Sequence, residues 1–151
     1  MEIMEERWMD EAVAEAGMAL REGEVPVGAV VVRDDEIIGR GHNEIESRSL
    51  ATAHAEMLAI EEAAAKIGDW RLDGSTLYVT IEPCHMCMGA VYLSRIARIV
   101  FGAANPRSGA CGSIDAFHEA GLFNHEIEVT GGVRESECRR LLTGFFESLR
   151  E

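Results

Sequence analysis

No apolar run in these 151 residues approaches the ~20 residues of a membrane span, so no transmembrane helix is expected. The opening Met1-Glu2-Ile3-Met4-Glu5-Glu6 is acidic and lacks the apolar core of a secretory leader. Cysteine is scarce. Of the 4 present, two share a single C-x-x-C, which is too few for a disulfide framework and fits a reducing compartment. A cytoplasmic location is therefore expected. Bases are outnumbered, 14 Lys and Arg against 27 acids, and the formal net charge of −13 argues against indiscriminate attachment to nucleic acid. Lysine is nearly missing, Lys66 being the only one. Repeats and low-complexity segments are absent too. The length reads as a single domain over residues 1–151, able to bury roughly 70% of its unfolded surface.

One deficit is local. From Pro83 to Ile114 there is no acid at all, while Arg95, Arg98 and Arg107 fall inside the window. That pattern predicts a basic face on an otherwise acidic protein, with Arg107 the candidate for a phosphate contact. The plainer reading is three solvated arginines.

The window begins at Pro83-Cys84-His85-Met86-Cys87, and some thirty residues upstream lies His54-Ala55-Glu56. Two thiols and one imidazole, His54, Cys84 and Cys87, are three zinc ligands. Structural zinc sites close all four corners with Cys or His, whereas catalytic sites leave one for water. A closed site would need Cys111 or Cys138, which read instead as small core residues. A lone C-x-x-C is weak evidence, but H-x-E followed by P-C-x-x-C is the zinc deaminase signature, with one Zn2+ per chain and Glu56 as the proton carrier. The spacing predicts a helix from about Ala53 to Ile67, with His54 and Glu56 in its first turn. Residues two apart do not stack on a helix, so His54 can face the metal while Glu56 reaches a neighbouring point. Cys84 and Cys87, three apart, are expected on one face of a helix opened by Pro83. These groups converge only if both helix starts lie at the same end of a sheet.

In chain order, Trp8, Met9, Ala12, Val13, Ala16 and Leu20 recur at helical spacing, and Gly23 closes that helix near Arg21. Val27–Arg33 and Ile37–Gly41 form a predicted hairpin around Asp34-Asp35. Residues 43–52 read as irregular. Thr76–Ile81 is a buried strand that delivers the chain into Pro83. Ile96–Phe101 is another strand, residues 102–113 a loop, and Ile127–Thr130 a short last strand. Cys138, Leu141, Leu142, Phe145, Phe146 and Leu149 line one face of a C-terminal helix. The expected fold is α/β, a three-layer arrangement with a mixed, mostly parallel central sheet and helices on both faces. Ligands in such sheets bind beyond the strands' carboxyl ends, which is where Pro83 falls.

Nearly the whole chain, from Trp8 to Leu149, resembles the bacterial tRNA-specific adenosine deaminases of the cytidine-deaminase-like fold. The resemblance is carried by Glu24-Val25-Pro26-Val27-Gly28, Thr52-Ala53-His54-Ala55-Glu56, Glu82-Pro83-Cys84-His85-Met86-Cys87, Gly109-Ala110-Cys111-Gly112-Ser113 and Asn124-His125. The zinc motif alone identifies a deaminase, and the loop motifs point to the tRNA-editing branch. The resemblance implies hydrolytic conversion of adenosine to inosine at the anticodon wobble position by a zinc-bound hydroxide. Glu56 would move the protons. It further implies that Asn43 binds the target base or its sugar, that Asn124 touches the anticodon loop, and that the chain forms a homodimer. Where the family usually has Asp, this chain has Asn105. Asn lacks the charge that would repel a nearby phosphate, so some tolerance of single-stranded DNA is expected; alternatively, Asn105 only caps a turn. Two other readings are a zinc deaminase of free nucleobases or nucleosides such as guanine or cytosine, and a non-catalytic deaminase-like RNA-binding subunit. The latter is disfavoured because such subunits usually lose the proton-carrying glutamate.

Overall fold

Asp34 and Asp35 both take left-handed backbone angles, φ 54° and 59°. A two-residue hairpin turn of type I′ needs this at both positions, and Asp tolerates it. The turn joins β1 (Gly28–Arg33) to β2 (Glu36–His42) as expected. In this computed structural model, which describes residues 2–121 and 124–150, three further strands complete one sheet: β3 (Thr76–Ile81), β4 (Arg98–Ala103) and β5 (Glu128–Thr130). The order is β2-β1-β3-β4-β5. β1 is antiparallel to β2 and β3, while β3, β4 and β5 run parallel.

Side chains alternate across β1. Ala29 and Val31 enter one core, with Ala55, Ala59 and Ala63 of α3 (Ala55–Ile67) and Met88 and Val91 of α4 (His85–Leu93). Val30 and Val32 enter the other, with Trp8, Met9 and Ala12 of α1 (Glu2–Arg21) and Cys138 of α5 (Glu135–Leu149). Helices thus cover both faces, and the mixed three-layer architecture read from the sequence is present. Close approach of α3 depends on β2: a Cβ at Gly39 or Gly41 would collide with the carbonyl oxygens of Ala59 or Ala55.

Antiparallel pairing of β1 with both β2 and β3 gives β2 and β3 the same direction. The helices that follow them, α3 and α4, therefore start at one edge of the sheet, as convergence of the motifs requires. The loop after β4, parallel to β3, leaves from that edge as well.

Several local expectations need correction. His54 and Cys84 do not lie inside helical turns; each is the extended residue just before its helix, with φ/ψ of −75°/150° and −82°/176°. β4 sits two residues further on than read, and β5 begins one residue later but ends at Thr130 as read. The stretch 43–52 contains a short helix, α2 (Ile45–Arg48), too brief to show any period. On α5 the apolar face is only partly packed: Cys138 is buried, whereas Phe146 and Leu149 are exposed.

Candidate active site

His54 Nδ1 lies 3.7 Å from Cys84 Sγ and 3.5 Å from Cys87 Sγ. A tetrahedral zinc with Zn–N near 2.0–2.1 Å and Zn–S near 2.3 Å implies N···S edges of about 3.6 Å. The donor atoms are therefore already spaced for such an ion. Because His54 and Cys84 stand just outside their helices and make no side-chain cap bond, their side chains are directed by the turn and not tied to helix N–H groups. Cys87 follows in the first turn of α4. Among the described residues, no other Cys, His or acid joins this group as a fourth donor. Cys111 is buried against Met88, and Cys138 packs at Gly102 in the opposite core.

The electrostatics fit a metal-binding donor set. Hydrogen bonding from Cys87, aided by His54, pulls the Cys84 thiol down to about 3. The Cys87 thiol is held up by donating to Cys84 and by burial. His54 is raised by its hydrogen bond to Cys84. These shifts favour the thiolate form of Cys84, the form that ligates a metal.

Glu56, 5% exposed in the first turn of α3, is different. Burial lifts its carboxyl group to about 7, and the negative Cys84 adds to the shift. A carboxyl group poised there can both take and return a proton near neutral pH. It lines a cleft of about 200 Å³ that also contains His54, Cys84 and Asn43, with Val25, Val27, Ile45 and Ile81 as apolar surface.

The expected substrate residues are only partly brought together. Asn43 is in the cleft, its Nδ2 donating to Val25 O at 3.3 Å and its Oδ1 accepting from Ile45 N–H at 3.3 Å. Asn105 is there too, but its side chain closes its own turn: Oδ1 accepts from the N–H groups of Arg107 and Ser108, and Nδ2 donates to Ser108 Oγ at 3.0 Å. Asn105 thus caps its own turn from the wall of the cleft. Arg107 is exposed in an adjoining groove with Leu142, Phe146 and Arg150, and its guanidinium has no hydrogen bond or ion pair among the described residues. Asn124 lies outside the cleft, in a hollow with Asp73 and Arg95, and accepts from Arg95 at 2.9 Å.

The acid-free window does not translate into a three-arginine face. Arg98 is paired with Glu5 at 2.7 Å, a partner 93 residues away, and Arg95 is held by Asn124 and His125. Only Arg107 of the three is uncommitted.

Two site residues escaped the sequence reading. Glu24, 1% exposed, accepts from the N–H groups of Glu46 at 3.0 Å and Ser47 at 2.7 Å and so caps α2 from outside. Burial alone would raise its carboxyl group, but these hydrogen bonds hold it below the usual range. Glu82, 2% exposed, lies between Ile81 and Pro83 and lines the cleft. The available signal was position: each is an acid immediately beside an apolar or strand segment at the catalytic edge.

The profile of the MafB19-like deaminase family matches residues 3–150. The tRNA-specific adenosine deaminase of Bacillus subtilis is 50% identical over 147 residues, covering 97% of this chain and 91% of that protein. Its Haemophilus influenzae counterpart is 47% identical over 148 residues, 97% of this chain and 86% of the other. Among solved structures, one from a study of A-to-I editing by tRNA:A34 deaminases superposes with a TM-score of 0.87 at 40% identity, covering 90% of this chain and 99% of the other. The guanine deaminase of Nitrosomonas europaea superposes with a TM-score of 0.80 at 25% identity, covering 93% and 83%.

Proposed function

This chain belongs to the family of tRNA-specific adenosine deaminases, and from that premise we propose that it hydrolyses adenosine to inosine at the wobble position of a tRNA anticodon. The observation that carries the reading is Glu56, buried beside a three-donor His–Cys–Cys cluster at the end of a cleft. His54, Cys84 and Cys87 would hold zinc. Bound there, zinc would supply the Lewis acidity that makes water a nucleophile near pH 7.

Glu56 takes one proton from the attacking water as its oxygen adds to adenine C6. It passes that proton to the ring nitrogen. As the C6–N bond breaks, Glu56 carries the second proton to the amine, which departs as ammonia. Asn43 retains one amide hydrogen and one lone pair for the base or its ribose after its bonds to Val25 and Ile45. The apolar flanks, Val25, Val27 and Ile81, suit a flipped base. Arg107, uncommitted, is the phosphate contact in this reading.

Four further parts belong to the proposal. A single domain over residues 1–151 is supported by two cores that share one sheet. A homodimer is supported by exposed apolar side chains such as Leu93 and Ile114. Residence in the cytoplasm goes with a tRNA substrate; among the described residues, no helix is long and apolar enough to cross a membrane. Single-stranded DNA is a secondary substrate, favoured by the neutral side chain of Asn105.

Incubating zinc-loaded protein with an anticodon stem-loop carrying A34, alongside free guanine and cytosine, tests the reading. Inosine from the stem-loop and no product from the bases is the expected result. Deamination of a free base with an untouched stem-loop would assign the cleft to the nucleobase branch.

A further inference from the structure

Glu82 is the first residue after β3 and stands two positions before Cys84. Its side chain is buried, yet every neighbour it bonds belongs to one loop, residues 104–113, which follows β4. Oε1 accepts from the Asn105 N–H at 3.1 Å and from the Ser113 hydroxyl. Oε2 accepts from the Cys111 N–H at 2.8 Å and the Ser113 N–H at 3.1 Å. Two donors on each oxygen fill the roughly four accepting sites of a carboxylate. The main chain ties the same two segments, with Glu82 N–H donating to Ala103 O at 2.9 Å and Ala110 N–H to Pro83 O at 2.8 Å.

The loop is shaped around this carboxylate. A Cβ at Gly109 would run into Glu82 Cδ, so any larger residue there would displace the carboxylate or the loop. From Asn105 the order spreads outward: its N–H is fixed by Glu82, and its side chain fixes the N–H groups of Arg107 and Ser108. Asn105 and Ser108 line the cleft, and Arg107 lines the groove beside it.

We infer that Glu82 is a positioning residue that sets the 104–113 loop as the substrate-facing wall of the cleft and ties the location of that wall to the segment carrying Cys84. Glu82 does not act on the reacting atoms, because its lone pairs are already taken by the loop. Its effect on the reaction is indirect: it fixes how far Asn105, Arg107 and Ser108 stand from the metal cluster. This inference rests on the deaminase reading for its effect on turnover, but its structural part stands by itself.

Glu82→Gln keeps the shape but turns an amide NH2 toward the loop, so at least one backbone N–H loses its acceptor, and two do if the amide faces Cys111 and Ser113. Two readouts are needed. The first, hydrogen exchange at the Asn105, Cys111 and Ser113 amides, requires no substrate; exchange should quicken by about tenfold or more in the variant while α3 amides stay unchanged. The second is steady-state deamination of an A34 stem-loop. Here KM should rise about tenfold with kcat within about threefold and zinc still near one per chain, the pattern of lost positioning in binding. Gly109→Ala, which attacks the same contact from the loop side, should give the same split, and Ser113→Ala a smaller version of it. These two also decide the matter should Glu82→Gln fail to fold. Unchanged amide exchange, or loss of zinc and kcat with KM intact, would overturn the inference. A wild-type protein that makes no inosine while the variant's loop amides still quicken would instead overturn the substrate reading and leave the anchor in place.

Discussion

Glu56 enters the cleft from the start of α3 and Glu82 from the end of β3, and both are almost fully buried, at 5% and 2% exposure. Glu82 meets four donors. Burial by itself would raise its carboxyl group, but the hydrogen bonds from Ser113, Asn105 and Cys111 hold it below the usual range. Glu56 lies deeper, lacks such a set of donors, and is pushed up to about 7 by burial and by the negative Cys84. Desolvation opposes both charges, more strongly for the deeper Glu56, and the four donors on Glu82 and the negative Cys84 beside Glu56 drive the two groups further apart. One cleft thus holds a carboxylate fixed as a structural tie and a carboxyl group left free to exchange protons.

The largest expected effect removes the setting that makes Glu56 different. Cys87→Ser takes out a buried donor of the cluster, so zinc content should fall far below one per chain and inosine formation should disappear. Metal analysis alongside the stem-loop assay measures both. Full zinc in this variant would place the metal elsewhere and dissolve the contrast between the two glutamates.

Glu24 tests whether the contrast is general, since it too is a buried carboxylate with backbone donors, the N–H groups of Glu46 and Ser47 at the start of α2. Glu24→Gln should cost about 2–3 kcal/mol at pH 7, the order expected for losing hydrogen bonds to a charged group. Its folded pKa is lowered, so its contribution is present above the unfolded value of 4.5 and is lost as pH falls through the lower folded value. Thermal melts of wild type and variant should therefore differ most at neutral pH and converge in acid. A gap that widens on acidification would mean that burial, and not the hydrogen bonds, sets the protonation of Glu24.

Arg107→Ala probes what the Glu82-held loop presents. Binding of stem-loop RNA should weaken, and the slope of log affinity against log salt should flatten by about one unit, with turnover at saturation nearly unchanged. An unaltered slope would return Arg107 to the solvated surface. The smallest effect is expected from Asn105→Asp. Asp can accept from the Arg107 and Ser108 N–H groups as Asn does, and the Ser108 hydroxyl that accepts from Nδ2 can donate to the carboxylate instead, so the turn survives and the main change is charge. The ratio of RNA to DNA deamination on matched hairpins should rise in the Asp variant; equal ratios would remove Asn105 from substrate choice.

The same contrast explains what could be read from the residues alone. The His54–Cys84–Cys87 cluster was legible because its spacings are local, H-x-E and C-x-x-C at two helix starts. β3 was legible from its apolar run, and the hairpin from Asp34-Asp35. Glu82 and Glu24 were not, because their donors lie 22 to 31 residues further along the chain and consist of backbone N–H groups that look alike in any sequence. α2 escaped notice for a related reason, since four residues show no period and its cap comes from Glu24. The basic window misled because an acid-free stretch of chain is not an acid-free surface: Glu5 reaches Arg98 from α1.

Glu56→Gln and Glu82→Gln, compared side by side, test the central claim most directly. Each removes one charge from the same cleft with little change in shape. Zinc content, stem-loop affinity and single-turnover conversion of A34 at saturating protein would be measured for both. The account predicts that Glu56→Gln keeps zinc and affinity but converts about 10²–10⁴-fold more slowly, while Glu82→Gln keeps zinc and conversion but binds about tenfold more weakly. Loss of the same quantity in both variants would contradict it.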